Sequence, residues 1–144
     1  MFAVSFKGAG MNIHPYLSFN GNCEEAFSFY AACFGGTVGE LFRYGASPMT
    51  GEVGADWQNK VMHGSVAIHG QTLMGADMAG PQYQTPQGFS ISVHPKDVAE
   101  AERVFAELSR GGTVQMPLAQ TFWAARFGAC VDRFGIPWTV NCEG

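Results

Sequence analysis

A four-residue sequence, Gly-Gly-Thr-Val, occurs twice in this chain of 144 residues, first at Gly35 and again at Gly111. Each copy follows an amphipathic segment, and each of those segments follows a short run in which apolar and polar residues alternate. Two copies are too few for a solenoid, which needs about three repeats to cover its faces. The repeat therefore predicts one pseudo-symmetric domain built from two similar modules, with any ligand site between them.

Each module is predicted to fold as strand, helix, strand, strand, strand. Alternating apolar residues indicate the strands, while apolar residues at helical spacing, ended by the glycine pair, indicate the helices. In the first module the predicted elements are a strand at 14–19, a helix at 23–34, a strand at 37–44, a loop at 45–60 and a hairpin at 61–78. In the second module they are a strand at 88–94, a helix at 97–109, a strand at 112–119 and a hairpin at 122–142. This order predicts an α+β fold with two mixed sheets, each covered by one helix.

Turn-forming residues locate the two hairpin turns. The first turn is predicted at Gly70-Gln71, with glycine at the first central position, which would place Ile68 opposite Leu73. The second turn begins at Asp132, whose side chain is expected to bond the backbone of its own turn.

Alternation along the strands also distinguishes two faces of each sheet. The apolar face is predicted to pack beneath the helices and carries Leu17, Phe19, Ile68, Leu73, Ile91, Val93, Trp138 and Val140. The opposite face carries His14, Tyr16, His63, Met74, Ser90, Ser92, Thr139 and Asn141. Such a face is too polar for a core but suits the wall of a binding cup, so it is the candidate site.

Length and composition fit a single domain over 11–144, with modules at 12–80 and 86–142. Met11 stands directly before the first predicted strand, so residues 1–10 are expected to be a leader or an alternative start outside the fold.

Charge and cysteine content limit the expected partners and location. A net charge of −4 without a basic stripe argues against nucleic acid or an anionic membrane as partner. No apolar run approaches the roughly 20 residues that span a bilayer. The four cysteines form no C-x-x-C motif, so free thiols in a reducing cytoplasm are expected.

Five motifs spread over residues 12–142 share a pattern with one known family. They are Pro15-Tyr16-Leu17-Ser18-Phe19, Met62-His63, Met74-Gly75-Ala76-Asp77, Thr121-Phe122-Trp123 and Asp132-Arg133-Phe134-Gly135-Ile136-Pro137-Trp138. The chain thereby resembles the PhnB-like subfamily of the vicinal oxygen chelate superfamily, which includes glyoxalase I, bleomycin-resistance proteins and extradiol dioxygenases. The resemblance implies an α+β fold in which two βαβββ modules form a cupped mixed sheet, and it implies a homodimer.

Metal-dependent relatives in that superfamily hold one divalent ion with a residue on each of four cup-facing strands. The resemblance places those positions at His14, Met74, Gly88 and Thr139. Imidazole is a good ligand for such an ion, whereas a thioether and a hydroxyl are poor ligands and glycine has no side chain. The cup is therefore expected to lack the usual metal.

One alternative cofactor is a divalent metal bound at His14 and His63, with Asp77 as a third ligand. Asp77 has the wrong strand parity for this set unless the strand end twists or bulges.

His63 and His14 are the candidate catalytic residues. An imidazole on the cup face suits proton transfer or a hydrogen bond to a ligand. The alternatives are that His63 only lines the cavity and that His14 is simply a polar residue at a strand start.

Six residues are candidates for contacting a ligand. Either Phe122 or Trp123 is expected to line the cup while the other fills the layer beneath the helix. Arg126 could clamp a carboxylate or phosphate, or instead could pair with a glutamate. The full set is Tyr16, Met74, Phe122, Trp123, Arg126 and Thr139.

Together these observations predict a protein that binds or sequesters a small molecule in an aromatic-lined cup completed at a homodimer interface. The alternative is a lyase or isomerase of glyoxalase type, working either with relocated metal ligands or without metal. A methyltransferase, as relatives are sometimes labelled, is a more distant alternative because the chain has no G-x-G-x-x-G strand-turn-helix signature.

Overall fold

The computed structural model describes residues 10–144. The predicted leader at 1–10 lies outside the described residues except for its last position, so it stays a prediction. The first module contains β1 Tyr16–Phe19, α1 Cys23–Phe34, β2 Thr37–Arg43, β3 Val61–Ile68 and β4 Gln71–Asp77. The second contains β5 Ile91–Val93, α2 Val98–Ser109, β6 Thr113–Ala119, β7 Arg126–Val131 and β8 Pro137–Cys142.

The two modules have the same sheet topology. The first sheet has the strand order β1-β4-β3-β2 and the second has the order β5-β8-β7-β6. In each sheet the first strand of the module runs parallel to the last, and the other neighbours are antiparallel. The predicted α+β fold with two βαβββ modules is confirmed.

The glycine pairs that mark the repeat have two separate steric functions. Gly35 and Gly111 follow the helices with positive φ angles of 73° and 75°, which glycine adopts without the steric cost of a side chain. Gly36 and Gly112 lie so close to β3 and β7 that a Cβ atom would overlap a backbone carbonyl oxygen of the neighbouring strand. Each pair therefore ends a helix and lets the next strand approach its neighbour.

The helices begin with different caps. At the start of α1, Asn22 makes no side-chain cap bond, and the Asp77 carboxylate instead accepts a hydrogen bond from the Cys23 N–H at 2.9 Å. At the start of α2, Asp97 accepts a bond from the Glu100 N–H at 2.8 Å. Only the second helix is thus capped from its own preceding residue.

One hydrophobic core joins the two modules. The helix-facing sides of both sheets and both helices contribute to it. Tyr30 of α1 packs against Trp138 of β8 with ring centroids 5.1 Å apart. Since both apolar faces turn towards this core, the opposite, outer faces of both sheets lie on the outside of the chain.

Asp132 anchors the contact between the modules. Its carboxylate accepts bonds from the Phe134 and Ile136 N–H groups, as predicted for a turn residue. It also accepts bonds from the Tyr30 hydroxyl at 2.5 Å and the Trp138 indole at 2.8 Å. A residue expected only to stabilise a turn therefore also ties the first helix to the second sheet.

The first hairpin turn differs from the prediction by one position. It lies at His69-Gly70, where both residues have positive φ angles of 49° and 78°, and Ile68 pairs with Gln71 rather than with Leu73. A type I′ turn needs positive φ at both central residues, and histidine seldom adopts it, so the sequence favoured the wrong dipeptide. The register error is two residues, which leaves each side chain on its predicted face.

The segment between β2 and β3 was predicted as one long loop. It contains three short 3₁₀ turns, Tyr44–Ala46, Thr50–Glu52 and Ala55–Trp57. The Gln58 amide donates to backbone oxygens at Thr50 and Val53, which ties the segment together. Over residues 10–144, no helix is long and apolar enough to cross a membrane.

Candidate functional site

The outer face of the first sheet brings three predicted site residues together. Tyr16 pairs with Met74 across the parallel β1–β4 ladder, and Met74 pairs with Ser65 of β3. His63 lies two residues before Ser65 on the same strand, so its side chain shares this face. The structure therefore places Tyr16, Met74 and His63 on one wall, as their alternation predicts.

Tyr16 and His63 form a hydrogen-bonded aromatic pair on this wall. The tyrosine hydroxyl lies 2.9 Å from His63 Nδ1, and the ring centroids are 5.5 Å apart. Phe42 lies on the other side of the imidazole, with ring centroids 6.3 Å apart. The imidazole is thus held in place by an aromatic neighbour on each side.

Partial burial sets the charge of this pair. Burial lowers the pKa of His63 below its ordinary 6.5, which favours the neutral imidazole near neutral pH. Burial is also the main cause that raises the pKa of Tyr16, and the charges of Cys23 and Tyr44 add to it. A neutral imidazole bonded to a neutral phenol can accept a proton from a ligand or hydrogen-bond to it.

His14 lies before β1 and is half-buried. The following residue, Pro15, accepts a hydrogen bond from the Met74 N–H at 3.0 Å, so the segment carrying His14 runs beside the start of β4.

Asp77 does not join the two histidines. Its carboxylate is 1% exposed and accepts hydrogen bonds from the N–H groups of Cys23 and Val61 at 2.9 and 2.8 Å. It therefore lies on the helix side of β4, in keeping with its strand parity. Within residues 10–144, no group of three or more His, Cys, Asp or Glu side chains could hold a metal ion, so the alternative set of His14, His63 and Asp77 is not assembled.

Of the four positions at which the resemblance expects metal ligands, only His14 carries a good ligand for such an ion. Met74 lies on the outer face of the first sheet, and Thr139 lies on the outer face of the second between Ser92 and Ala129. Gly88 precedes β5 with a φ of 82° and offers no side chain. Thioether, hydroxyl and glycine at these positions are a poor donor set for Zn²⁺ or a similar ion.

The outer face of the second sheet carries a polar cluster that was not predicted from the sequence. His94 Nε2 lies 3.3 Å from the Ser92 hydroxyl, and its Nδ1 lies 3.5 Å from the Asn141 amide nitrogen. Ser92 and Asn141 were assigned to the half-polar face, and extending the alternation by one step would have added His94. Thr139 lies beside this cluster, because it pairs with Ser92.

Phe122 and Trp123 occupy the connection between β6 and β7. Phe122 is 97% exposed and Trp123 is 49% exposed, and their rings make an edge contact at 4.8 Å. Trp123 also contacts Phe127 of β7 at 5.3 Å. One of the two residues was expected to fill the layer beneath the helix, but Phe122 does not do so.

Arg126 lies away from the outer face. It pairs with Cys142 in the β7–β8 ladder, and Cys142 is fully buried in the core. Its Nε lies 3.8 Å from a carboxylate oxygen of Glu102 on α2. This placement matches the ion-pair alternative rather than a clamp on the cup wall.

The site residues thus form two separate groups within one chain. Tyr16, Met74 and His63 lie on the outer face of the first sheet. Thr139 lies on the outer face of the second sheet, and Trp123 lies in the β6–β7 connection of that sheet. Since both outer faces turn away from the shared core, one chain does not bring the two groups together.

Comparisons with known proteins find similar proteins over nearly the whole chain. A family profile described as 3-demethylubiquinone-9 3-methyltransferase matches residues 11–141. Protein YjdN of Escherichia coli is 30% identical over 139 residues, covering 91% of this chain and 95% of YjdN. The crystal structure of PA1353 from Pseudomonas aeruginosa is 48% identical with a TM-score of 0.81, covering 93% of this chain and 98% of PA1353. A PhnB protein from Bacillus cereus is 25% identical with a TM-score of 0.79, covering 92% and 99%.

Proposed function

Because the chain belongs to the PhnB-like, glyoxalase-fold family described as 3-demethylubiquinone-9 3-methyltransferase, we propose that it binds a small organic molecule in a cup lined by the outer faces of its sheets. A second copy of the chain completes this cup. The observation that carries the proposal is the Tyr16–His63 pair, in which a half-buried imidazole is oriented by a phenol on an otherwise open wall.

The exposed apolar residues support a homodimer. Soluble monomers seldom expose large contiguous apolar patches, and open sheet edges invite pairing. If the first sheet of one copy faces the second sheet of its partner, a two-fold axis generates two equal cups. Large apolar side chains on these faces and edges are 46% or more exposed, namely Tyr16, Val114, Met116, Phe122 and Trp123.

The chemistry of the walls favours a neutral or weakly polar aromatic ligand. One wall offers a phenol, an imidazole and the Met74 thioether, and the other offers Thr139 with the Trp123 ring. Arg126, which could have held an anionic group or paired with a glutamate, pairs with Glu102 on the helix side. Stacking on aromatic rings with a few hydrogen bonds is the recognition that these side chains can supply.

The binding proposal is tested by thermal-shift screening against polar aromatic compounds. A ligand that binds only the folded state raises Tm by mass action. Tyr16→Phe removes the bond to His63 and should reduce the shift produced by a hit, whereas Tyr83→Phe, a tyrosine outside the outer faces, should not. An equal reduction in both variants would contradict the site, as would a panel without any hit.

The homodimer has its own test. Light scattering at micromolar concentration should give twice the chain mass, and Trp123→Ser should shift the protein towards the monomer. A monomeric wild type would overturn the shared cup.

A second candidate function is proton-transfer catalysis of the glyoxalase type, favoured by the lowered pKa of His63 and its bond to Tyr16. Isomerisation of the methylglyoxal–glutathione adduct would be measured with and without added Zn²⁺, Ni²⁺, Mn²⁺ or Fe²⁺. Turnover that His63→Gln abolishes would establish it, and absence of turnover under all conditions would reject it.

We also propose that the protein is cytoplasmic. The support is that Cys23, Cys33, Cys130 and Cys142 are all buried free thiols, a state that reducing compartments preserve. Fractionation with a tagged chain would test this location.

A further inference from the structure

A cavity lies between the two modules and reaches from the helix side to the edge of the second sheet, where Ser92 and His94 also line it. It has a volume of about 350 Å³ and is bordered by the β3–β4 hairpin, the β5 segment and both helices. Residues 91–95 line it consecutively, although strand side chains alternate between faces. The cavity therefore runs along the edge of β5 rather than over one face, and it is separate from the Tyr16–His63 wall.

The floor of this cavity is apolar. Trp138 and Phe34 meet there with ring centroids 5.4 Å apart. Aliphatic side chains complete the floor, namely Leu73, Ile91, Val93 and Val104. Small-molecule pockets begin at about 300 Å³, so this volume suits a compact ligand with an apolar body.

The rim carries one charge of each sign. Glu100 and Arg103 lie three residues apart on α2, so they are neighbours on one helix face. Arg103 also donates to Glu107 at 2.6 Å and to the Cys33 carbonyl at 3.1 Å, which holds its guanidinium in place. A ligand with only a carboxylate would meet Glu100, and a ligand with only an ammonium would meet Arg103.

We propose that this inter-module cavity binds a free α-amino acid with an apolar side chain. The ammonium pairs with Glu100, the carboxylate pairs with Arg103 and the apolar side chain lies on the floor of the cavity. His69, at the tip of the β3–β4 hairpin, lines the same cavity.

The test uses the full chain and three related probes measured by calorimetric titration. L-phenylalanine carries both charged groups, phenylacetate lacks the ammonium and phenethylamine lacks the carboxylate. L-phenylalanine should bind roughly tenfold more tightly than either analogue, as expected when one charge-assisted bond is lost. Equal affinity for the three compounds, or no binding of L-phenylalanine at millimolar concentration, would overturn the proposal.

Variants locate the site. Glu100→Gln should weaken L-phenylalanine about tenfold and remove its advantage over phenylacetate. Arg103→Gln should remove its advantage over phenethylamine. The matched control is Arg43→Gln, because Arg43 forms a comparable ion pair with Glu24 outside this cavity. An equal loss in the control would refute the assignment.

A third variant separates this cavity from the outer face. His63→Gln should leave the affinity for L-phenylalanine unchanged, and a tenfold loss there would place the amino acid on the outer face instead. Circular dichroism checks the folding of each variant, because the Glu100 carboxylate also accepts a bond from the Lys96 N–H at 3.2 Å beside the start of α2. Glu100→Gln keeps a side-chain oxygen that can accept this bond, so the helix start should stay intact.

Discussion

Among residues 10–144 two aspartates are buried, and one stabilises a single module while the other also stabilises the contact between the modules. Asp77 bonds only groups of its own module, namely the start of α1 and the start of β3. Asp132 bonds its own turn but also Tyr30, which belongs to the other module. Asp77 thus stabilises its own module, whereas Asp132 also links the two modules. It does so beside the shared hydrophobic core and the bond from Arg103 to the Cys33 carbonyl, which join the modules as well.

The largest effect is expected at Asp132. Asp132→Ala leaves the buried Tyr30 hydroxyl and Trp138 indole without an acceptor, which should lower the free energy of unfolding by about 4 kcal/mol. Urea denaturation measures this loss. Asp97→Ala is the matched control, because it removes an exposed helix cap and should cost only about 1 kcal/mol. Similar costs for the two variants would show that the link between modules contributes little.

Asp77→Asn should cost about 2 kcal/mol, since the amide can satisfy only part of the bonding at two buried N–H groups. Burial raises the pKa of Asp77 above its ordinary 3.8, against the opposing bonds from Val61 and Cys23. At pH values between the pKa of the unfolded state and the raised pKa of the folded state, Asp77 is protonated in the native state and ionised in the unfolded state. Its contribution to the free energy of unfolding therefore falls as pH rises. The cost of Asp77→Asn should therefore be larger near pH 4 than at pH 7. A cost that rises with pH would contradict the direction of the shift.

A smaller effect is expected at His63. Because burial lowers the pKa of His63 in the native state, the unfolded state binds the proton more readily than the native state does. The contribution of His63 to stability therefore falls as pH drops through 6.5 and below. His63→Gln should remove this dependence and change stability by less than about 1 kcal/mol. The direct measurement is the NMR titration of the imidazole, whose midpoint should fall below 6.5. A midpoint above that value would contradict the burial of the ring.

The smallest effect is expected at Arg126. Its ion pair with Glu102 is long and partly exposed, and such pairs contribute about 0–1 kcal/mol. Arg126→Gln should therefore change urea stability by less than about 0.5 kcal/mol and leave ligand-induced thermal shifts unaltered. Loss of those shifts would instead support the alternative in which Arg126 clamps an anionic group of the ligand.

Patterns within one segment predicted the elements well. The helix over 23–34 has the same bounds in the structure, because apolar spacing, acidic residues in the first turn and the glycine pair all mark it. The division of strand residues between two faces was also recovered, since alternation depends only on the pleat.

Predictions that depend on contacts between two segments of the chain were less accurate. The hairpin register requires the φ angle of His69, which composition does not reveal. The bond between Tyr30 and Asp132 joins residues far apart in sequence, and the side of the sheet taken by Arg126 depends on pairing with β8. Alternation along a strand distinguishes the two faces of a sheet. It does not show how the sheets of the two modules are oriented relative to one another.

The two glycines of each pair bear on how duplicated halves diverge. In each module the first glycine is required by a backbone angle and the second by the closeness of a neighbouring strand. These requirements do not depend on the ligand, whereas Tyr16 and His63 in one half, and Ser92 and His94 in the other, face solvent or ligand. After a gene duplication, substitutions on the outer faces of the two sheets would not disturb the backbone, whereas substitution of either glycine would. The tetrapeptide is therefore shared by the two modules although their outer faces carry different side chains.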